Sequence, residues 1–378
     1  MKKLFLILLS FFLLAFPSVT MADTTPNTTT VPVQRIYGQD RYQTATAIAD
    51  QLAQKWGIDY SKGQQFQAVV LASGNNWPDA ICGAPLAKLN NAPILLLDTT
   101  PESAGSQTTW SYIQAHVAKT GKVFILGGKG VVPQLFTDHL VSMGFASADI
   151  EQIGGKDRDE TSYLIAKEVN KLGSDGDALL VTDQTFYDAL TVSGFAALAG
   201  CPILLASPSG FSTQAAYQYA TSTGVWPIGD IVSSAHTILP NANIYRPVNG
   251  GGEYGTNRAF VEEQGYTTSV IYLATGDDYP DALAGAVLAG ADPIPTTASR
   301  LNLMQLVLTA HNALPSDTSA ILNEITGRDK TPTTMGTQHL PPICLNPQLV
   351  VFGGPGAISD SVVNQVVQIM SGPGMWNA

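Results

Sequence analysis

The chain has 378 residues, of which only 13% are charged, and its formal net charge is −11 at pH 7. An acidic chain without a cluster of lysine and arginine is not expected to bind nucleic acid, because phosphate binding needs such clusters. Its length and its 45% of hydrophobic residues are enough for several buried cores. Three cysteines without CxxC spacing and five scattered histidines predict neither a disulfide framework nor a metal site.

Residues 1–22 are predicted to be a signal peptide. Lys2 and Lys3 precede an apolar run, residues 4–16, that is too short to span a bilayer comfortably, and small residues lead up to Ala22. Cleavage after Ala22 removes two positive charges, which takes the net charge from −11 to −13. The alternative is an uncleaved membrane anchor. Residues 23–33, DTTPNTTTVPV, are polar and contain prolines, so a linker is predicted there. The mature protein is expected outside the cell, without membrane contact.

Each of three later segments begins with a helical pattern and closes with a glycine turn. The start RIYGQDRYQTATAIADQLA (35–53) matches QIGGKDRDETSYLIAKEVN (152–170), with Asp40-Arg41 and Thr44 against Asp157-Arg158 and Thr161. The third copy keeps a threonine but has Glu253 where the arginine would align. The closing strand of the first copy leads into Gly127-Gly128, and the second copy has lost one glycine of this pair.

The middle of each segment repeats as well. Continuous apolar runs at 68–73, 178–182 and 269–275 predict parallel strands that are buried on both faces. Each run leads to an aspartate at the start of a small-residue helix, namely Asp79, Asp188 and Asp281. These carboxylates are expected to accept backbone N–H bonds at the helix N-termini. Nearby aromatic residues are expected to cover the helix starts: Trp77, Tyr187 and Tyr279.

A proline and a second apolar strand follow the small-residue helix. The motif is intact at Pro93 and Pro202 and is eroded to PIPTT, residues 293–297, in the third copy. Residues 327–348 are rich in proline and threonine, and we expect a surface excursion there. The regular alternation of strand and helix predicts an α/β fold of three tandem small open parallel-sheet modules, Rossmann- or flavodoxin-like, over 34–148, 149–242 and 243–378. The small-residue helices suit close approach, so the modules are expected to pack as an intramolecular pseudo-trimer.

The Asp-Arg-x-x-Thr start, the aromatic-x-Asp-Ala-Leu middle before Ala-Pro-Ile-Leu-Leu, and the Gly-Gly-x-Gly-x-Val end resemble the cell wall binding repeat 2 modules. These occur as tandem triplets in exported Gram-positive proteins, clostridial ones especially, and the resemblance covers about residues 34–370. It implies three cell wall binding modules that attach non-covalently to the bacterial surface through an anionic polysaccharide or a teichoic-acid-like polymer. It also implies a location at the cell wall, where a wall-associated partner protein is a further expectation.

A polymer site is expected beyond the carboxyl ends of the strands, where helix N-termini point. The candidate residues are Arg41, Arg158, Thr44, Thr161, Gly127 and Gly128. The alternative is that each arginine belongs to an internal ion pair, Asp40-Arg41 or Asp157-Arg158. A structural role is expected for Asp40, Asp157, Asp79, Asp188, Asp281, Pro93 and Pro202. Because the third module lacks the arginine, we expect it to contribute least to binding.

No catalytic or cofactor-binding constellation is recognisable. GGKGVV and GGPGAI fit neither the dinucleotide fingerprint nor a P-loop, and Ser73 and His116 belong to no hydrolase motif. The chain is therefore predicted to be non-catalytic and without a cofactor. A self-assembling surface-layer component is the alternative function, and an α/β enzyme that binds a phosphate-containing ligand is a weaker one.

Overall fold

A computed structural model describes residues 31–173, 176–264, 270–291, 305–326 and 347–371. Its strands are β1 (Val33–Ile36), β2 (Phe66–Ser73), β3 (Ile94–Leu97), β4 (Val117–Leu126), β5 (Ile150–Ile153), β6 (Ala178–Thr182), β7 (Ile203–Ala206), β8 (Val225–Pro227), β9 (Val270–Thr275), β10 (Gln305–Thr309) and β11 (Gln348–Phe352). Its α-helices are α1 (Arg41–Lys55), α2 (Ala84–Leu89), α3 (Ala104–His116), α4 (Gln134–Ser142), α5 (Arg158–Lys171), α6 (Tyr187–Ala199), α7 (Gln214–Thr223), α8 (Val232–Ile238), α9 (Glu253–Gln264), α10 (Pro280–Ala289), α11 (Ser316–Ile325) and α12 (Asp360–Ser371).

The strands form three sheets in which every paired strand is parallel. The strand order is β3-β2-β4-β5 in the first sheet, β7-β6-β8 in the second and β1-β11-β9-β10 in the third. The central strands β2, β6 and β9 are almost entirely buried, as strands covered by helices on both faces must be. The predicted fold of three small parallel α/β modules is thereby confirmed. None of the described helices is long and apolar enough to cross a membrane.

Hydrogen bonding between strands crosses from one sequence repeat to the next. Strand β5, at the start of the second repeat, pairs with β4 of the first sheet. In the second sheet the corresponding edge is made by Ile244 and Val248 of the third repeat, through isolated bridges. Strand β1 from the start of the first repeat pairs with β11 and completes the third sheet. Val33 pairs with Leu349 there, so the predicted linker ends before residue 33. The three sheets are thus linked in a closed ring.

The small-residue helices lie at the centre of this ring. Helices α2, α6 and α10 pack against one another, and each also contacts a helix from the start of the next repeat: α5, α9 and α1 respectively. The approach is close, because a side chain on Gly290 of the third module would overlap Ala197 of the second. The modules therefore pack as the predicted pseudo-trimer, and one hydrophobic core runs through all three of them.

An aromatic cluster closes one end of the central helices. The ring centroid of Phe186 lies 6.2 Å from that of Trp77 and 6.1 Å from that of Tyr279. The expectation that Tyr187 takes this place in the second module is wrong. Tyr187 points outward instead, and its hydroxyl donates to Asp230 at 2.8 Å. Helix α6 begins at Tyr187, which leaves the preceding residue, Phe186, at the position of Trp77 and Tyr279.

The third module differs from the expectation in its second strand. The strand beside β9 is β10, residues 305–309, rather than PIPTT at 293–297. Prolines interrupt the backbone donors of PIPTT, whereas QLVLT in β10 is uninterrupted. In the first two modules, the carbonyl groups of Pro93 and Pro202 accept N–H bonds from β2 and β6. The predicted signal peptide, most of the linker, PIPTT and nearly all of the predicted excursion lie outside the described residues.

Candidate functional site

The three repeated aspartates mark three junctions between modules. The first junction lies between the first and second sheets at Asp79, the second between the second and third at Asp188, and the third between the third and first at Asp281. Each carboxylate packs against a glycine turn of its own module, at Gly127, Gly229 and Gly353. These glycines have φ of +111°, +74° and +98°, and an added side chain would press on the carboxylate. This contact explains why an aspartate and a distant glycine recur together.

Asp188 and Asp281 lie in the first turns of α6 and α10, as expected, but contrary to the expectation they do not cap these helices. Phe186 and Tyr279 occupy the N-cap positions of α6 and α10, and neither side chain forms a capping hydrogen bond. The Oδ2 atom of Asp188 instead accepts the N–H of Asp230, which follows Gly229, at 3.0 Å. The carboxylate therefore connects the central helix to the turn after β8 of the same module.

Burial disfavours the ionised form of these three carboxylates. It raises the pKa of Asp188 to about 7 and that of Asp281 to about 6, and it raises the pKa of Asp79 as well. Neighbouring charges modify the effect, since Arg158 lowers the pKa of Asp79 and Arg41 lowers that of Asp281.

In each Asp-Arg pair of the sequence, the aspartate caps a helix and the arginine makes other contacts. Asp40 caps α1 by accepting the N–H of Gln43 at 2.8 Å, and Asp157 caps α5 by accepting that of Glu160 at 3.0 Å. A carboxylate at this position also complements the helix dipole. The ion pairs expected within Asp40-Arg41 and Asp157-Arg158 do not form, because each aspartate faces its helix while the arginine points away from it.

Each arginine bridges its own module to the preceding one. Arg158 donates to the carbonyl of Asp183 at 2.6 Å, and its guanidinium lies 5.4 Å from the centre of the Trp77 ring. Arg41 donates to the carbonyl of Gly74 and pairs with Asp278 at 3.2 Å. Both arginines are therefore joined to the protein itself, with part of each guanidinium left at the surface.

The predicted threonines hold the turns that precede α1 and α5. The Thr44 hydroxyl accepts the N–H of Gly38 at 3.1 Å, and that of Thr161 accepts the N–H of Gly155 at 3.0 Å. Both threonines are buried. They shape the backbone of the junctions, and their hydroxyl groups are already used in doing so.

A basic cleft of about 330 Å³ opens at the first junction. It contains three of the six predicted polymer-binding residues, Gly128, Arg158 and Thr161, while Gly127 packs against Asp79 nearby. The cleft also contains two lysines that were not predicted, Lys129 and Lys156. Their sequence signal was available, because each lysine lies in a glycine turn, GGKG or GGKD.

The other two predicted residues with side-chain donors, Arg41 and Thr44, lie in a separate cleft of about 290 Å³ at the third junction. This cleft is acidic, since Arg41 and His311 share it with Asp40, Asp277, Asp278 and Asp281. The second junction is acidic as well. Its glycine turn, Gly229-Asp230-Ile231, has an aspartate in place of Gly128 and no counterpart of Lys129, and Glu253 aligns with Arg158. Within the described ranges, no group of three or more His, Cys, Asp or Glu side chains could hold a metal ion.

The three sequence repeats that build these junctions match the model of a known family. The model of cell wall binding domain 2 matches residues 35–136, 152–237 and 248–363, one match for each repeat. The chain belongs to the cell wall binding domain 2 family. Its membership supports attachment to the bacterial cell wall, and the three matched segments correspond to the three repeats found in the sequence.

Cell wall binding domain 2 relatives include two proteins of Bacillus subtilis. The chain is 28% identical over 262 residues to N-acetylmuramoyl-L-alanine amidase LytC, which is 68% of this chain and 48% of the relative. It is 27% identical over 260 residues to a protein named amidase enhancer, which is 68% of this chain and 33% of the relative. The chain thus spans half or less of the length of these relatives.

Two solved structures share the fold of this cell wall binding domain 2 protein. Cwp6 from Clostridium difficile matches 96% of this chain and 51% of its own, with a TM-score of 0.70 at 22% identity. Cwp8 from the same organism matches 90% of this chain and 52% of its own, with a TM-score of 0.69 at 19% identity. At these identities the likeness shows the fold.

Proposed function

We propose that the chain is a non-catalytic, secreted attachment protein that binds an anionic secondary polymer of the bacterial wall in the first-junction cleft. Family membership supports attachment to the wall. The observation that supports an anionic ligand is the convergence of Lys129, Lys156 and Arg158 on one cleft of an otherwise acidic chain. A polyanion responds to this local potential, because salt screens the more distant carboxylates.

The cleft supplies donors of several kinds. Lys129 is exposed, and the described structure gives the backbone N–H groups of Lys129 and Gly130 no backbone acceptor. Lys156 donates to the carbonyl of Ser212 at 3.0 Å, which leaves further N–H groups on its ammonium. Arg158 is held in place by Asp183 and Trp77. Phosphate or carboxylate groups of a polymer could therefore bind to preorganised donors.

The acidic residues of the cleft oppose an anion only weakly. The carboxylate of Asp157 accepts the N–H of Glu160 and the hydroxyl of Ser212 at 2.7 Å, so its charge is already stabilised by donors. Asp79 is buried beneath the glycine turn, and burial raises its pKa. The third junction has a different balance, with four aspartates around Arg41. One anion-binding cleft per chain is therefore expected, rather than three equivalent ones.

The first experiment tests binding to wall sacculi before and after their secondary polymers are stripped. The chain from residue 23 is compared with K129Q/K156Q and with the charge-matched control K62Q/K167Q, whose lysines are exposed outside the cleft. We expect stripping to abolish binding and K129Q/K156Q to weaken it about 100-fold or more, since two charge-assisted contacts of about 1.5 kcal/mol or more each are lost. The control should bind like the wild type.

Two results would contradict the proposal. Equal binding to stripped sacculi would exclude the polymer as the ligand, and equal losses in K129Q/K156Q and K62Q/K167Q would exclude the cleft as its site. The surface-layer alternative predicts ordered self-assembly in solution without any polymer, unaffected by K129Q/K156Q, and light scattering of the purified chain distinguishes that outcome.

A further inference from the structure

At each junction the first residue of a helix from the next repeat faces the buried aspartate. In the first and third junctions this residue is an arginine, since Arg158 interacts electrostatically with Asp79 and Arg41 with Asp281. In the second junction it is Glu253, whose charge acts on Asp188. The position is structurally equivalent, because Glu253 packs directly against Gly276, and Gly276, Gly74 and Asp183 each follow the central strand of a sheet. A carboxylate thus replaces a guanidinium at one of three equivalent places.

The second junction also contains polar atoms without partners. Asp188 is fully buried, and only its Oδ2 atom has a partner, the N–H of Asp230. No described group hydrogen-bonds to Asp188 Oδ1, to Glu253 Oε1 or to the hydroxyl of Thr256. The equivalent hydroxyls of Thr44 and Thr161 both accept a backbone N–H. A buried carboxylate that is charged and half satisfied is costly, so a neutral Asp188 suits this site better.

The described charges around Asp188 do not neutralise it. The turn after β8 presents Asp230, α9 presents Glu253, and the start of α6 presents Tyr187, whose hydroxyl donates to Asp230. Asp277 lies beyond Glu253 and acts on it as a further negative charge. The nearby arginines have other partners, since Arg158 binds the carbonyl of Asp183 and Arg246 pairs with Glu263 at 3.4 Å.

We propose that a proton on Asp188 closes the second junction, and that its loss places two like charges, Asp188 and Glu253, against each other and loosens the start of α9. The first and third junctions have an arginine at this place, whose charge lowers the pKa of the buried aspartate, so they depend less on such a proton. The second junction is therefore expected to be the most pH-sensitive of the three.

The direction of the pH effect follows from linkage. Burial, the Asp230 charge and Glu253 together place the pKa of Asp188 at about 7, above the value of about 4 for an unfolded aspartate. Between these two values the folded state binds one proton more than the unfolded state. The contribution of Asp188 to stability is thus complete below about pH 4 and is lost as the pH rises to about 7. Acidification within this range should strengthen the junction.

Thermal unfolding of the chain from residue 23 tests the proposal at about pH 5 and about pH 8. D188N is a neutral isostere that retains the acceptor for Asp230, and D79N is the matched control opposite Arg158. We expect D188N to melt at least about 2 °C above the wild type at pH 8, with less than half of that gain at pH 5. E253Q should give a smaller gain of the same sign, and D79N should gain less than half as much as D188N at pH 8, because Arg158 stabilises the Asp79 carboxylate.

A second readout needs no variant. Hydrogen-exchange protection factors of the Asp230 amide and of the first turn of α9 should fall several-fold in the wild type between pH 5 and pH 8, while those of the first turn of α5 should fall less. Equal falls in α5 and α9, or equal gains in D79N and D188N, would overturn the proposal. So would stabilisation at pH 8 by excess calcium that disappears in D188N, because a cation rather than a proton would then neutralise the junction.

Discussion

In the first junction the buried aspartate faces Arg158, whereas in the second the equivalent position holds Glu253. The backbone plan is otherwise shared, with an aspartate against a left-handed glycine and a helix from the next repeat beside it. The glycine turn contains Lys129 in one junction, whereas in the other Asp230 replaces the second glycine. The same backbone arrangement thus has basic side chains around the aspartate in the first junction and acidic ones in the second.

The comparison separates residues that build the ring from residues that give a junction its chemistry. The aspartate, the glycine and the small-residue helices recur in all three modules, because close packing leaves little room for alternatives. The charged residues around the buried aspartates differ between the modules, since a partly exposed position tolerates either sign of charge. A threefold scaffold can therefore contain a single basic cleft, and ligand binding need not follow the symmetry of the fold.

The largest expected effect comes from disrupting the contact between the buried aspartate and the left-handed glycine, which all three junctions share. Gly229→Ala should lower the free energy of unfolding by about 2–4 kcal/mol, because the new methyl group overlaps the Asp188 carboxylate in addition to straining the backbone. Gly63 has nearly the same φ, +73°, but has nothing within 4 Å of an added Cβ. Gly63→Ala is thus the control for backbone strain alone and should cost about 1 kcal/mol. Urea unfolding measures both.

A glycine-to-alanine substitution can also be made in the first junction, at Gly127, and compared with the one in the second. An added Cβ at Gly127 would lie 3.1 Å from Asp79 Oδ2, which is tight but does not overlap as at Gly229. Gly127→Ala should therefore cost less than Gly229→Ala. Equal costs for Gly229→Ala and Gly63→Ala would show that the aspartate–glycine contact contributes nothing to stability.

A smaller effect, of opposite sign in the two junctions, is expected from the residues that differ. Arg158→Ala should lower the free energy of unfolding by about 1–2 kcal/mol, because it removes a charge-assisted hydrogen bond to Asp183 and the contact with Trp77. At neutral pH, Glu253→Gln should raise it by less than about 1 kcal/mol, because it removes a like charge beside Asp188. Differential scanning calorimetry distinguishes the two signs, and a loss of stability in both variants would mean that the junctions do not differ in this way.

Much of the fold could be predicted from the repeats. The apolar runs around residues 70, 180 and 272 identified the central strands, and the small-residue helices indicated close packing at the centre. The exchange of edge strands could not be predicted, because the apolar residues of β5 suit the sheet of either neighbouring repeat. The choice between Phe186 and Tyr187 was predictable, because Phe186, like Trp77 and Tyr279, stands two residues before the repeated aspartate.

The candidate site was only partly predictable. Arg41 and Arg158 stand out in the sequence because they recur at equivalent positions. Their partners across the junctions, Asp278 and Trp77, could not be predicted, because the strand exchange brings the modules together. Lys129 and Lys156 do not recur in the other repeats, so the repetition of residues gives no sign of them. They share one cleft only because α5 docks beside the glycine turn of the first module.

The most direct test of the account is a hydrogen-exchange footprint of the full chain from residue 23 with soluble anionic polymer purified from the wall. The polymer is expected to protect backbone amides at 128–131 and 155–158 in the first junction and to leave their counterparts in the second, 230–233 and 250–253, unchanged. This protection should disappear in K129Q/K156Q and persist in K62Q/K167Q. Equal protection of the first and second junctions, or protection confined to the second, would contradict a single basic cleft as the polymer site.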